Sequence, residues 1–174
     1  MARGTAGAAG AGRGIFRAAE PWLRRLLRRS RRSYGHDMVH NPGPLAARRG
    51  NPAANFAGGR YNEITLPRDT TLYRAGQSGR EFGQWFTADP PASVAQARID
   101  TAVLPHWIDP RTGASSGSSP LDTAYAIRFP AGTRIYHGPT ANQGGVYVGG
   151  AEQIFVPEPW NIPGARVLGS RPLR

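Results

Sequence analysis

The sequence of 174 residues contains no cysteine and no lysine, and it has only 11 acidic residues. The absence of cysteine excludes disulfide bonds and cysteine–zinc sites. His36 and His40 have the i, i+4 spacing of a metal-binding pair, but the glutamate of the zincin motif is missing, so we expect no metal site. No apolar run approaches the roughly 18–20 residues that a membrane-spanning helix needs. The N-terminus lacks the apolar stretch of a secretory signal, so we expect export, if it occurs, as part of a longer protein or as cargo.

All 22 basic residues are arginines, which we interpret mainly as a coding bias, and the formal net charge is +11. The charge is concentrated at the start of the chain, because residues 1–60 carry 12 arginines against two acidic residues. Residues 61–174 are nearly neutral, with ten arginines against nine acidic residues. The basic character therefore suggests acidic partners for the N-terminal third only.

The N-terminal third divides into two predicted segments. Residues 1–14 are rich in glycine and alanine, which is typical of a flexible linker. Residues 15–33 place apolar side chains at helical spacing opposite an arginine face, which predicts a basic amphipathic helix with Pro21 in a first turn. Such a helix either packs on its own domain or binds RNA, an anionic membrane surface or an acidic partner, and the pattern leaves this open.

Residues 61–174 alternate short β-like runs with turns, which predicts an α+β domain with mainly antiparallel sheet and few helices. A helix is predicted at 94–103, where Ser93 caps the N-terminus and Gln96 takes the capping-box position. Residues 109–119 predict a mobile loop, and His106 and Trp107 just before it could form part of a lid. The predicted strands are 63–66, 71–74, 84–87, 123–129, 133–137, 145–148, 153–156 and 165–168.

One half of a candidate pocket lies near the C-terminus. Gly149 and Gly150 precede Glu152 and Gln153, between two apolar runs. Glycines allow the backbone to approach a ligand, because no Cβ is in the way. A carboxylate or amide presented there can hold a ribose or order a water molecule. Side chains alternate along a strand, so only one of Glu152 and Gln153 can face the pocket, and the sequence leaves open which one.

The other half is an arginine at the end of an upstream strand-like run. Arg74 is followed by Gly76, and its planar guanidinium can donate two parallel hydrogen bonds to a phosphate. The structural alternative for Arg74 is a surface ion pair with Asp69 or Glu81. For Arg98, on the predicted helix, a nearby salt bridge is the default interpretation.

Several aromatic residues stand beside polar strand ends. Tyr73, Trp85 and Phe86 belong to this group, and one or two of its members could stack on a nicotinamide or adenine ring. Most aromatic side chains of so small a domain must nevertheless build its core. His137 is a candidate general acid or base near neutral pH, although a hydrogen-bonded structural histidine is the more common case.

Four short segments, 72–76, 83–87, 96–98 and 149–153, resemble in their order the C-terminal toxin domains of the tuberculosis necrotizing toxin family. The resemblance covers residues ~60–170. It implies an NAD glycohydrolase with an ADP-ribosyltransferase-like split antiparallel sheet, carried at the end of a large secreted toxin. It also implies that residues 1–60 join a delivery scaffold to a catalytic domain at 61–174.

The resemblance also implies roles for individual residues. Arg74 matches an arginine that binds the NAD phosphates, and Arg98 matches a second arginine on the following helix. Gln153 matches a catalytic glutamine that follows a glycine pair. The implied site has Arg74, Glu152 and Gln153 as catalytic residues and Tyr73, Gly76, Trp85, Phe86, Arg98, Gly149 and Gly150 as substrate-binding residues.

This sequence departs from the family at one position. The family has a histidine on a tyrosine-led strand, and the nearest equivalent here is Ala126, which leaves His137 as a candidate substitute. ADP-ribosyltransferases hold the ribose hydroxyl with a glutamate, so Glu152 is the alternative reactive-centre residue. The open alternatives are therefore ADP-ribosyl transfer to a protein or RNA, an RNase toxin with His137 as base, and a non-enzymatic module that binds through its arginine helix.

The resemblance sets expectations for substrate, partners and location. The substrate is NAD(P)+, which is cleaved to nicotinamide and ADP-ribose or its phosphate without a separate cofactor. The expected partners are a cognate immunity protein and the scaffold of a larger toxin, with nucleic acid as a possible partner of residues 15–33. We expect a protein that is secreted or delivered by a secretion system and acts in the cytoplasm of a target cell.

Overall fold

The computed structural model describes residues 12–174, and residues 1–11 of the predicted linker lie outside the described residues. The described chain has four short α-helices and nine strands, and within it no helix has the length and hydrophobicity to cross a membrane. The helices are α1 Gly12–Ile15, α2 Pro21–Ser30, α3 Gly43–Ala47 and α4 Val94–Asp100. The strands are β1 Asn62–Thr65, β2 Thr70–Gly76, β3 Trp85–Phe86, β4 His106–Ile108, β5 Ser115–Ser118, β6 Thr123–Phe129, β7 Arg134–Pro139, β8 Glu152–Phe155 and β9 Arg166–Pro172.

Two antiparallel sheets form the centre of the molecule, in the orders β1-β7-β8-β3 and β2-β6-β9. They meet where Tyr73, on β2, and Thr87, just after β3, exchange backbone hydrogen bonds of 2.9 and 2.7 Å. Strands β4 and β5 form a separate two-stranded sheet. The predicted α+β fold, with a split and mainly antiparallel sheet and few helices, is confirmed.

The basic helix α2 packs on its own domain. Leu23 and Leu27 are buried in one hydrophobic cluster with strand residues such as Leu72 and Phe129. Burying a leucine side chain contributes roughly 1.5–3 kcal/mol. The arginines of the helix lie on its exposed face. The domain core therefore draws on residues from both sides of position 60.

Helix α2 is shorter than the predicted helix at 15–33, because Pro21 occupies its first turn and the five preceding residues are not helical. The helix ends at Ser30, whose hydroxyl donates a hydrogen bond to the carbonyl of Leu27 at 3.0 Å. Asn62 of β1 donates from Nδ2 to the carbonyl of Ser30 at 2.7 Å. The C-terminal end of α2 is thus attached to the four-stranded sheet.

The prediction of a strand at 145–148 is wrong. The backbone there forms a turn, with φ angles of 91° at Gly144 and 57° at Gly145, which are left-handed values that favour glycine. Val146 and Val148 are exposed, so the valines that suggested a strand have no sheet to pack on.

Two further boundaries differ from expectation. The predicted loop at 109–119 contains β5, which pairs with β4 to make a hairpin. The predicted helix at 94–103 ends at Asp100, because Ala102 adopts a left-handed φ of 48°. The predicted cap of this helix is confirmed, since the Ser93 hydroxyl accepts a hydrogen bond from the amide of Gln96 at 3.1 Å.

Candidate active site

A cavity of ≈ 470 Å³ opens where β2, β3 and β8 approach one another. Its volume lies in the range of small-molecule sites. The guanidinium of Arg74 and the carboxamide of Gln153, which are far apart in sequence, both line this cavity. The candidate site residues in its lining are Tyr73, Arg74, Gly76, Trp85, Phe86 and Gln153.

Arg74 enters the cavity as a mostly desolvated cation. Its Nη1 donates to the carbonyls of Arg80 and Glu81, both at 2.9 Å. Its Nε is buried and has no hydrogen-bond partner within residues 12–174. Asp69, one of the two expected ion-pair partners, instead binds Arg128 at 2.9 Å. The described part of the chain therefore leaves this guanidinium without a carboxylate partner.

Two glycines make the slot that holds the guanidinium. A Cβ added at Gly83 would lie 2.6 Å from Cζ of Arg74, and a Cβ at Gly76 would lie 3.1 Å from it. Burial lowers the pKa of Arg74, because desolvation disfavours the cation, and the nearby Tyr125 opposes this shift. The guanidinium stays charged at neutral pH, since arginine is not deprotonated in proteins. A buried cation with an unused donor is suited to bind an anion.

Gln153 lies on β8 and is buried. Its Nε2 donates to the backbone carbonyl of Asn55 at 2.6 Å, which fixes the orientation of the amide. No hydrogen bond to its Oε1 is present among the described residues, so this oxygen is the acceptor that the side chain can offer to a ligand. Asn55 also lines the cavity. Sequence reasoning missed Asn55, because it acts through a backbone carbonyl that no motif marks.

Glu152 points away from the cavity that holds Arg74. It lines a second cavity of ≈ 550 Å³, where its carboxylate accepts from Nε of Arg31 at 2.6 Å and contacts Nδ1 of His137. His137 is fully buried, and its Nε2 lies 2.8 Å from Oγ of Ser30. These four side chains join the C-terminal end of α2 to β7 and β8.

Arg98 does not line the site cavity and makes no salt bridge among the described residues. It donates from Nη1 to the carbonyl of Val103 at 3.1 Å and from Nη2 to the carbonyl of Ser119 at 2.9 Å. Both acceptor residues belong to the cavity wall. Arg98 therefore lies behind the wall and holds it in place.

Gly149 and Gly150 also lie outside the cavity lining. The amide of Gly149 donates to the carbonyl of Ile99 and that of Gly150 to the carbonyl of Thr140, each at 2.9 Å. A Cβ at Gly149 would lie 2.7 Å from the carbonyl oxygen of Ala141, and its φ is 66°. Both glycines have left-handed φ angles, 66° and 88°, in the loop that leads into β8.

The aromatic residues of the predicted site are largely occupied by packing. Tyr73 is buried, and its hydroxyl binds backbone groups of the segment before α2. Trp85 packs against Phe56 and Phe155, with ring centroids 5.4 and 4.9 Å away. Phe86 packs edge-on against another phenylalanine. These three aromatic residues form an apolar wall of the cavity, and the same side chains pack in the core.

No family model and no curated protein matches this chain. Among solved structures, the chain is similar to Tne2 in its complex with Tni2, with a TM-score of 0.50 and 17% identity over 66% of this chain and 92% of that one. Similarities of lower TM-score are found to Tse6 in complex with Tsi6 (0.45, 16% identity, 66% and 77% coverage). The chain is also similar to Rhs1-CT in complex with the cognate immunity protein RhsI1, with a TM-score of 0.49 and 15% identity over 66% of this chain and 81% of that one. At this identity the likeness to Tne2 shows a shared fold.

Proposed function

We propose that this chain is a toxin domain that hydrolyses NAD(P)+ to nicotinamide and ADP-ribose or its phosphate. The proposal is carried by one observation, the desolvated guanidinium of Arg74 in the same cavity as the oriented amide of Gln153. These are the two residues that match the phosphate-binding arginine and the catalytic glutamine of the toxin family that the sequence resembles.

Arg74 would bind the pyrophosphate of the dinucleotide. Its Nη1 is held by the carbonyls of Arg80 and Glu81, which orients the rest of the fork. Nη2, which makes no hydrogen bond among the described residues, can then donate to a phosphate oxygen, and a shift of the side chain that exposes the buried Nε would add a second, parallel hydrogen bond. Hydrogen bonds of this kind gain strength at a site that excludes water.

Gln153 would act at the ribose. When the nicotinamide–ribose bond breaks, its electron pair returns to the positively charged ring nitrogen, so nicotinamide leaves as a neutral molecule. The ribose develops oxocarbenium character at C1′, water adds there, and the proton is released to solvent. Such a reaction depends mainly on positioning and electrostatic stabilisation. The Oε1 acceptor of Gln153 can orient either the water or a ribose hydroxyl.

The positions of Glu152 and His137 favour hydrolysis over the other reactions. ADP-ribosyltransferases hold the ribose hydroxyl with a glutamate, whereas Glu152 here is engaged with Arg31 and His137 on the other side of β8. An RNase would need an accessible base, and His137 is fully buried between Glu152 and Ser30. Hydrolysis of the nicotinamide bond needs neither group.

The same proposal includes a partner and a location. Tne2, whose fold the chain shares, is seen in complex with Tni2. We infer a cognate immunity protein that covers the ≈ 470 Å³ cavity and protects the producing cell. Delivery by the scaffold of a longer toxin would bring the domain into the cytoplasm of a target cell, where NAD depletion kills.

The test is to incubate the purified protein with NAD+ or NADP+ and to quantify nicotinamide and the second product, ADP-ribose from NAD+ or its phosphate from NADP+, by chromatography. Equal amounts of the two products are expected. Nicotinamide without free ADP-ribose would indicate transfer, and unchanged dinucleotide would contradict the proposal. A parallel incubation with RNA tests the nuclease alternative, for which cleavage without loss of NAD+ is the signature.

A further inference from the structure

One wall of the site cavity is supplied by the β4–β5 hairpin, residues 106–118. All residues of both strands are exposed, and the two strands pair only with each other. Most of the hairpin is serine, glycine and charged residues, with Trp107 and Ile108 as exposed large apolar side chains. Trp107 and Ser118 line the cavity.

Trp107 has its indole at the rim of this cavity with 49% of the residue exposed. It lies opposite Gly117 on the paired strand, and a Cβ on that glycine would lie 3.5 Å from Cδ1 of the indole. The indole therefore lies beside the paired strand, close to Gly117. An indole that stays half exposed beside a cavity has a face available for a ligand.

The other aromatic residues of the lining are committed elsewhere. Tyr73 and Phe86 are buried, Trp85 packs between two phenylalanines, and Phe82 packs against the main core cluster. Of the aromatic residues in this lining, Trp107 is the most exposed, since Phe82 and Trp85 are half-buried.

Arg98 fixes the place of the hairpin. Its guanidinium bridges the carbonyl of Val103, before β4, and the carbonyl of Ser119, after β5. A backbone hydrogen bond of 2.9 Å from Ser119 to Pro105 closes the same base. Arg98 therefore holds together the two ends of the segment that carries Trp107.

We propose that Trp107 stacks on an aromatic ring of the bound dinucleotide, either nicotinamide or adenine, and that Arg98 is the positioning residue for this contact. The inference rests on the proposed function, because it takes a dinucleotide as the ligand of the cavity. It adds a specificity-determining residue on the hairpin to a cavity whose other site residues, Arg74 on β2 and Gln153 on β8, come from the two central sheets.

The experiment compares Trp107→Ala and Trp107→Phe with Trp160→Ala, which removes another exposed tryptophan (53%) that lies outside the cavity lining. Binding of ADP-ribose and of nicotinamide mononucleotide is measured by calorimetry, and KM and kcat are measured with NAD+. We expect Trp107→Ala to weaken binding about tenfold, as loss of one base–aromatic stack does. Trp107→Phe should stay within about threefold and Trp160→Ala should match the wild type.

The two ligands identify the ring. ADP-ribose lacks nicotinamide and the mononucleotide lacks adenine, so the ligand whose affinity falls in Trp107→Ala carries the stacked base. If Arg98 acts only by positioning Trp107, the double variant of Arg98→Ala and Trp107→Ala should bind ADP-ribose and nicotinamide mononucleotide as tightly as Trp107→Ala alone. Additive losses would assign Arg98 a purely structural role and remove it from the proposal.

The outcomes separate this inference from the proposed function. If the wild type cleaves NAD+ and Trp107→Ala binds both ligands as tightly as the wild type, the stacking inference fails and the function stands. If the wild type binds ADP-ribose through Trp107 but leaves NAD+ intact, the function fails and the inference stands. A wild type that binds neither ligand overturns the inference as well.

Discussion

Glu152 and Gln153 are neighbours on β8 and serve opposite sides of the strand. The carboxylate of Glu152 joins Arg31 and His137, and the amide of Gln153 lines the cavity of Arg74. One residue therefore connects the N-terminal helix to the sheet, and its neighbour is available to a ligand. Substitutions at these two positions should have different consequences.

Gln153→Ala is expected to lower kcat for NAD+ by about 100-fold or more, the usual loss when one preorganised group is removed. Glu152→Ala should change kcat only a few-fold but lower the free energy of unfolding by about 1–3 kcal/mol, because His137 loses its buried partner. Both values come from steady-state assays and urea denaturation of the same preparations. Loss of turnover in a stably folded Glu152→Ala, with Gln153→Ala still active, would reverse the assignment.

Arg74→Lys tests whether the fork geometry of the guanidinium matters beyond its charge. A lysine keeps the positive charge but donates as a point charge, so we expect kcat/KM to fall by about tenfold or more. Arg128→Lys is the matched control, since Arg128 makes an exposed ion pair with Asp69 and its loss should be nearly neutral. Wild-type kcat/KM in Arg74→Lys would remove the bidentate contact from the mechanism.

Gly83→Ala should displace the guanidinium without unfolding the protein. The new methyl group would lie 2.6 Å from the end of the Arg74 side chain, which is flexible enough to move away. We expect a rise in KM of about tenfold with a nearly unchanged melting temperature. Gly35→Ala is the control, because its Cβ would make an ordinary 3.4 Å contact. Equal kinetics for the two variants would show that the slot does not hold Arg74 in place.

A truncated chain of residues 61–174 should fold poorly, because it lacks Leu23 and Leu27 of the main core cluster. Loss of each large side chain from a core costs about 2–5 kcal/mol, which is comparable to the whole stability of a small domain. Circular dichroism and denaturant titration check this. A cooperative unfolding transition in the truncated chain would contradict it and would support the predicted boundary at position 60.

Local signals in the sequence predicted those elements that local physics determines. Ser93 caps α4 as its type and spacing predict, and Pro21 begins α2 as proline does in a first turn. Strand ends and residue chemistry also predicted a pocket between Arg74 and the segment of Glu152 and Gln153, while the assignment of Gln153 came from the family resemblance. The division of roles between Glu152 and Gln153 did not follow, because alternation shows only that they face opposite ways.

The remaining differences come from contacts that a linear pattern does not contain. The valines of 145–148 suit a strand, but a strand also needs a partner edge, and none is paired with them in the fold. The β4–β5 hairpin forms in a serine- and glycine-rich stretch of low strand propensity. The amide of Gln153 is oriented by Asn55, 98 residues earlier in the chain. Such long-range partners depend on topology.

Burial of Arg74 has a thermodynamic consequence for the whole protein. A positive charge that water reaches poorly, with its Nε unpartnered among the described residues, disfavours the folded state until an anion joins it. Ligand binding should therefore raise the thermal stability of the protein, as it does whenever a ligand binds the native state more tightly than the unfolded state. Inorganic pyrophosphate alone should raise the melting temperature measurably, neutral nicotinamide should raise it less, and the difference should vanish when Arg74 is replaced.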